Sequence, residues 1–226
     1  MRMFRVAREA STARHVANTL LQTAVFWSLF LWLLPAVVAA CGRALDVPPL
    51  GLGPGHPLAI ALFVAASALG LTCGIWMAVR GKGTPLPLCA AREFVVSGPY
   101  RWVRNPMAIA GITQGIAVGL WRDDVLVVHY ALAGALLWHF VARPPEERDL
   151  EARFGESFVA YRNRVGIWLP LLPRSVGRAV AVALGALALA APFAVGDGSA
   201  ASLWRVSTFV ATAGLLLLVL VRHWRR

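Results

Sequence analysis

Two short stretches carry most of the polar chemistry of this chain. SGPYRWVRNPMAIAG, residues 97–111, places Arg101, Arg104 and Asn105 between apolar runs. Pro99 and Pro106 break it at two points, and Gly98 and Gly111 let the backbone turn or approach something closely. RPPEERDLE, residues 143–151, sets Glu146 and Glu147 beside two prolines at a helix start. Guanidinium groups suit a carboxylate, which they grip through two parallel hydrogen bonds. A glutamate suits an ammonium or ribose hydroxyls. A zwitterionic ligand with a carboxylate, an amine and hydroxyls would satisfy the set. Buried without such a ligand, or without each other, these charges would be costly.

The rest of the chain must hold those stretches, and its composition says how. Of 226 residues, 58% are hydrophobic and mean hydropathy is +0.65, too apolar for an ordinary soluble domain. The formal charge is +11, yet only 15% of residues are charged, so no dense basic face exists for nucleic acid. The bases instead flank apolar runs, as they do beside membrane spans. Cys41, Cys73 and Cys89 are far apart and odd in number, which supports neither a zinc site nor a disulfide framework. They read as small core residues.

Six apolar runs follow, giving an all-α, polytopic transmembrane bundle. The first covers about 20–41, behind Arg2, Arg5, Arg8 and Arg14, and reads as an uncleaved span. The second covers 58–79, where Ala65, Ala66, Ala68, Gly70 and Gly74 suit close helix packing in lipid. The third, 106–120, is short and opens with proline; Trp121–Asp124 turns it into the fourth, 125–142. The last two cover 179–195 and 203–221. Nineteen of the 22 Lys and Arg residues fall in the N-terminus, the 80–105 connector, the 143–178 block and the C-terminus. Only Arg43, Arg122 and Arg205 lie on the other side. This asymmetry places both termini and both polar blocks on the cytoplasmic face.

The connector opens with RGKGTPLP at 80–87, which lacks the spacing of a phosphate-binding P-loop. A tight interfacial turn and a ligand-lining segment both remain open. The second block is predicted to form one amphipathic helix. Its prolines break the preceding span, and Leu150, Phe154, Phe158 and Tyr161 share a face. Acidic residues crowd the first turns, as the helix dipole prefers. This helix should lie on the membrane surface.

GPYRWVRNPM at 98–107, followed by Gly111, resembles the GPYRxVRHPxYxG signature of integral-membrane methyltransferases. That group includes isoprenylcysteine carboxyl methyltransferase and phospholipid N-methyltransferases. Glu146-Glu147, Leu150, Phe154-Gly155, Tyr161, Val165 and Pro170 resemble its partner motif. The resemblance covers about residues 58–172. It implies a pocket for S-adenosylmethionine formed by Gly98, Tyr100, Arg104, Asn105, Pro106, Met107, Gly111, Glu146 and Glu147. A lipophilic acceptor would enter from the lipid. Arg164 would orient that acceptor, and Glu147 would deprotonate it if it were an amine. Asn105 stands where many members have histidine, and Ala108 where a tyrosine is usual.

The expected organisation is therefore a first span and loop over 1–57, a methyltransferase core over 58–172, and a helical hairpin over 173–226. Localisation in a bacterial inner membrane follows from the same reading. Two other functions stay open: an NADPH-dependent reductase resembling the steroid 5-alpha-reductase group, and a non-catalytic protein with a degenerate pocket. His129 and His139 are expected to pack or to seek the surface. His15, His56 and His223 are expected at the interface. Most tryptophans fit an aromatic belt.

Overall fold

The computed structural model describes residues 6–84 and 90–168. Within them the fold is all-helical. α1 runs Thr12–Ala44, α2 Pro57–Arg80, α3 Pro106–Trp121, α4 Val125–Phe154 and α5 Glu156–Arg164. A 3₁₀ turn at Gly98–Arg101 lies in the connector between α2 and α3. Helices α1, α2 and α4 are long and apolar enough to cross a membrane. The chain is an integral membrane protein on that ground. α3 has only 16 residues, about 24 Å of helix against a hydrocarbon core of about 30 Å. Four of the six expected spans thus fall on these helices, three of full length and one short. The expected spans at 179–195 and 203–221, and the whole 173–226 unit, lie outside the described residues.

α2 packs along α3, α3 along α4, and α1 along α2. Small residues allow the close approach: a Cβ on Gly115 would stand 2.8 Å from the Ala131 Cβ. Ala66 and Gly74 are buried on α2, as the run of small residues predicts. Polar caps close the helix ends. Asn105 Oδ1 accepts the Ala108 amide at 3.0 Å, and Asp124 Oδ1 accepts the Val127 amide at 3.0 Å. The Asp123 carboxylate accepts the Leu52 amide, which ties the α1–α2 loop to the α3–α4 turn.

Pro144 and Pro145 do not end the helix before them, contrary to expectation. A π-helical turn at Trp138–Ala142 carries α4 straight through Pro144 and Pro145 to Phe154. The same arrangement stands in α1, where Ser28–Leu33 is π-helical and Pro35 follows. In π register the proline nitrogen would face the carbonyl five residues back, and proline has no hydrogen to give it. The carbonyls that face Pro35 and Pro144 have other donors. The Tyr130 hydroxyl donates to the Phe30 carbonyl at 3.2 Å. Arg143 Nε donates to the His139 carbonyl at 3.1 Å. In lipid, where water cannot satisfy a freed carbonyl, such donors keep the helix continuous.

The expected single amphipathic helix is two helices. Gly155, at φ +53 and ψ −130, breaks it between α4 and α5. Its apolar residues still converge. Phe158, Tyr161 and Val165 form a buried cluster with Leu150, Phe154 and Phe94. Phe94 stacks on Phe154 at 5.0 Å and meets the Tyr161 ring edge-on at 5.4 Å. This face therefore grips the connector.

Candidate functional site

The connector and the α4–α5 block form one unit. Tyr161, on α5, donates its hydroxyl to the Tyr100 carbonyl at 2.6 Å. The Arg104 amide donates to the Gly166 carbonyl at 2.8 Å. Arg153 donates to the Ala91 carbonyl and pairs with Asp149 at 3.3 Å. Three contacts thus fasten the connector to the α4–α5 block and the residue Gly166 just after it, and the Tyr100 and Tyr161 partners stand 61 residues apart.

Gly98 sets the direction of the first stretch. Its φ is +60, and a Cβ there would stand 2.6 Å from the Trp76 ring. Trp76 donates its indole hydrogen to the Ser97 hydroxyl at 3.1 Å, which holds the turn against α2. Tyr100 is then buried beside Cys73 and Val95, with Met107 packed on the same cluster. Burial raises the Tyr100 pKa well above its usual value, and the neighbouring Cys73 and Glu146 raise it further. Burial likewise raises Tyr161, against the opposing pull of the Arg104 charge. Both phenols remain hydrogen-bond donors at working pH.

Arg104 is the centre of the site. Its side chain is 9% exposed and lies 3.1 Å from Glu147 Oε1. That approach is off the N–H direction, so neither Nε nor Nη1 of Arg104 has a hydrogen-bond acceptor. Burial lowers its pKa and the Glu147 carboxylate raises it. The other Glu147 oxygen accepts from Arg143 Nη1 at 2.8 Å. Glu147 is therefore held between two guanidiniums, one turn above a helix-spaced partner. Glu146, adjacent and half-buried, makes no hydrogen bond or ion pair with the described residues. Its charge acts on Tyr100. A buried cation with two orphaned donors and a carboxylate without a partner fit an amino-acid group: its carboxylate to Arg104, its ammonium to Glu146.

The remaining expected residues divide. Pro106 is buried at the head of α3, and Asn105 spends its side-chain oxygen on the helix cap. Gly111 is exposed on α3, and a Cβ there would meet nothing within 4 Å. Arg164 points outward, with Nε on the Ala160 carbonyl of its own helix, and the structure does not bring it to Arg104. Arg143, which clamps Glu147, was missed as a site residue. Its spacing of four from Glu147 was a usable signal. His139 was expected to pack or to seek the surface, and it packs: it is buried, and Nδ1 accepts the Trp168 indole hydrogen at 3.2 Å.

Residues 57–157 match a protein family described as phospholipid methyltransferase. A methanethiol S-methyltransferase from Mycobacterium tuberculosis is 36% identical over 73 residues, which is 31% of this chain and 28% of that relative. The match thus spans under a third of the relative's length. No solved structure matches the chain. Both similarities point to a membrane methyltransferase family, and the family match contains the connector, Arg104, Glu146 and Glu147.

Proposed function

We propose, from a membrane chain whose residues 57–157 match the phospholipid methyltransferase family, that this protein transfers a methyl group from S-adenosylmethionine to a lipophilic acceptor at the cytoplasmic membrane surface. The supporting observation is the buried Arg104 guanidinium with two donors lacking a hydrogen-bond acceptor, in the same connector as Tyr100, on which the unpartnered Glu146 acts. S-adenosylmethionine, when bound, supplies an activated methyl on a sulfonium.

The protein's own residues have limited work. Arg104 and Glu146 hold the amino-acid end of the donor. Glu147 and Arg143 fix the direction of Arg104. Tyr161, through the Tyr100 carbonyl, fixes the strand of connector on which Arg104 stands. Alignment of donor and acceptor, with water excluded, carries the rate. In this reading Glu147 is a positioning residue, because both of its oxygens face guanidiniums. No spare base then remains among the described site residues for an ammonium acceptor. The geometry favours an acceptor that arrives ionised, a carboxylate or a thiolate. The thiol in the name of the Mycobacterium tuberculosis relative agrees with that preference. The charge asymmetry of the loops supports cytoplasmic termini, and the resemblance to bacterial members supports a bacterial inner membrane.

The test is methyl transfer from labelled S-adenosylmethionine by the purified protein. Acceptors would be a long-chain thiol, a prenylated carboxylate and an aminophospholipid. Label is expected in the thiol or carboxylate product. Transfer to the aminophospholipid alone would overturn the acceptor preference, and saturable NADPH binding without S-adenosylmethionine binding would overturn the donor.

A further inference from the structure

A polar cavity is lined by residues other than Arg104 and its partners. It has a volume of about 460 Å³ and is lined by Glu9, Ala10, His15, Lys82, Arg92 and Glu93. It contains none of the residues assigned above to the methyl donor. Lys82, Arg92 and Glu93 of the connector and the N-terminal arm build it together. The Ala7 amide donates to the Ala90 carbonyl at 3.0 Å, and Arg92 Nη2 meets Glu9 Oε1 at 2.9 Å. The Arg92 and Glu93 amides both donate to the Gly81 carbonyl, which folds the connector back on itself.

Three features give this cavity an excess of donors. First, it opens at the N-terminus of α1, whose Ser11 cap leaves the dipole's positive end facing it. Second, His15 is 4% exposed, lines the cavity, and its ring makes no hydrogen bond with the described residues. Third, a guanidinium carries five N–H groups and an ammonium three, about eight in all. Arg92 and Lys82 each spend one on a monodentate carboxylate, Glu9 or Glu93. Those carboxylates are exposed, Glu9 by 87%, so an arriving anion displaces them into water at little cost. One turn or two further along α1, Leu20 and Leu21 are exposed on the outside of the bundle.

We propose that this cavity binds the phosphate group of an anionic phospholipid. Lys82, Arg92, His15 and the α1 N-terminus hold the phosphate, and the acyl chains lie along the Leu20–Leu21 side of α1. The site is separate from the methyl-donor pocket, and its test reads binding, not turnover.

Full-length protein in neutral detergent would be titrated with short-chain phosphatidylglycerol, with diacylglycerol of the same chain length, and with inorganic phosphate. Retention of lipid is read by native mass spectrometry and protection by thermal shift. Saturable binding of phosphatidylglycerol is expected, at least tenfold tighter than diacylglycerol. The Lys82→Gln/Arg92→Gln protein should lose about tenfold or more, while the Glu9→Gln protein should bind as tightly or tighter. Arg43→Gln/Arg122→Gln removes the same charge elsewhere and should change nothing. Equal loss in that control, or undiminished binding in Lys82→Gln/Arg92→Gln, would overturn the site. Protection by inorganic phosphate equal to that by phosphatidylglycerol would overturn the lipid assignment.

Discussion

Replacing Tyr161 with phenylalanine isolates one bond between the two halves of the site. The ring stays, so its edge-on contact with Phe94 and its place beside Phe158 are kept. What is lost is the hydroxyl that meets the Tyr100 carbonyl at 2.6 Å. Tyr100 is 6% exposed, so its carbonyl is left with little water to replace the donor. An unsatisfied buried group costs about 1–3 kcal/mol. At about 1.4 kcal/mol per tenfold, the unfolding equilibrium should shift by roughly 5- to 150-fold. Unfolding in mixed micelles of dodecyl sulfate, followed by tryptophan fluorescence, reads that shift. Burial raises the folded-state pKa of this phenol. Its stabilisation is therefore fully present below about pH 10, the unfolded value, and is lost only as pH rises through the raised folded value. The difference between the two proteins should then be flat across neutral pH. Tyr161→Phe unfolding like the parent, within about 0.5 kcal/mol, a shift typical of surface substitutions, would refute the staple between connector and α5.

Gly98→Ala should destabilise the protein by about 1–3 kcal/mol, because alanine is strained at φ +60 and its Cβ would press on the Trp76 ring. The same unfolding assay checks it, and a blue shift or quench of tryptophan emission should accompany it. Asn105→Ala should cost about 0.5–2 kcal/mol through the lost α3 cap, while Asn105→Ser restores most of it. If the serine protein is as unstable as the alanine one, the asparagine is not acting as a cap. Tyr130→Phe should cost about 0.6–1.7 kcal/mol, the range seen for hydrogen bonds in membranes, because Pro35 leaves the Phe30 carbonyl dependent on that hydroxyl. In a Pro35→Ala background, which restores a backbone hydrogen, the same change should cost measurably less. An equal cost in both backgrounds would exclude the coupling.

The two polar stretches stood out in the sequence more clearly than the course of the helices. The short third span was legible because its ends are chemical: Asn105 caps one and the Arg122–Asp124 turn stops the other. The two polar stretches were legible because charge inside an apolar chain needs a reason. The first span was read straight through Pro35, but the passage of α4 through Pro144 and Pro145 was not legible. It depends on a π-helical turn and on Arg143 donating to the His139 carbonyl, neither of which residue type alone announces. The break at Gly155 was masked by apolar spacing that stays regular across it, although the glycine itself was the available signal. His15 was expected at an interface and is buried beside a cavity, because the N-terminal arm folds back over the connector. Arg164 shares a helix with Tyr161 but faces the other way, which spacing of three residues alone did not decide.

The central claim rests on Arg104, and equilibrium binding of labelled S-adenosylmethionine to the detergent-solubilised protein tests it most directly. Loss of a charge-assisted, paired contact is worth about 1.5–3 kcal/mol, or roughly 10- to 150-fold in affinity. Saturable binding is predicted for the parent protein, with Arg104→Gln and Glu146→Gln each weakened within that range and Arg164→Gln unchanged. Unaltered affinity in Arg104→Gln, or no saturable binding by a folded parent protein, would contradict the account.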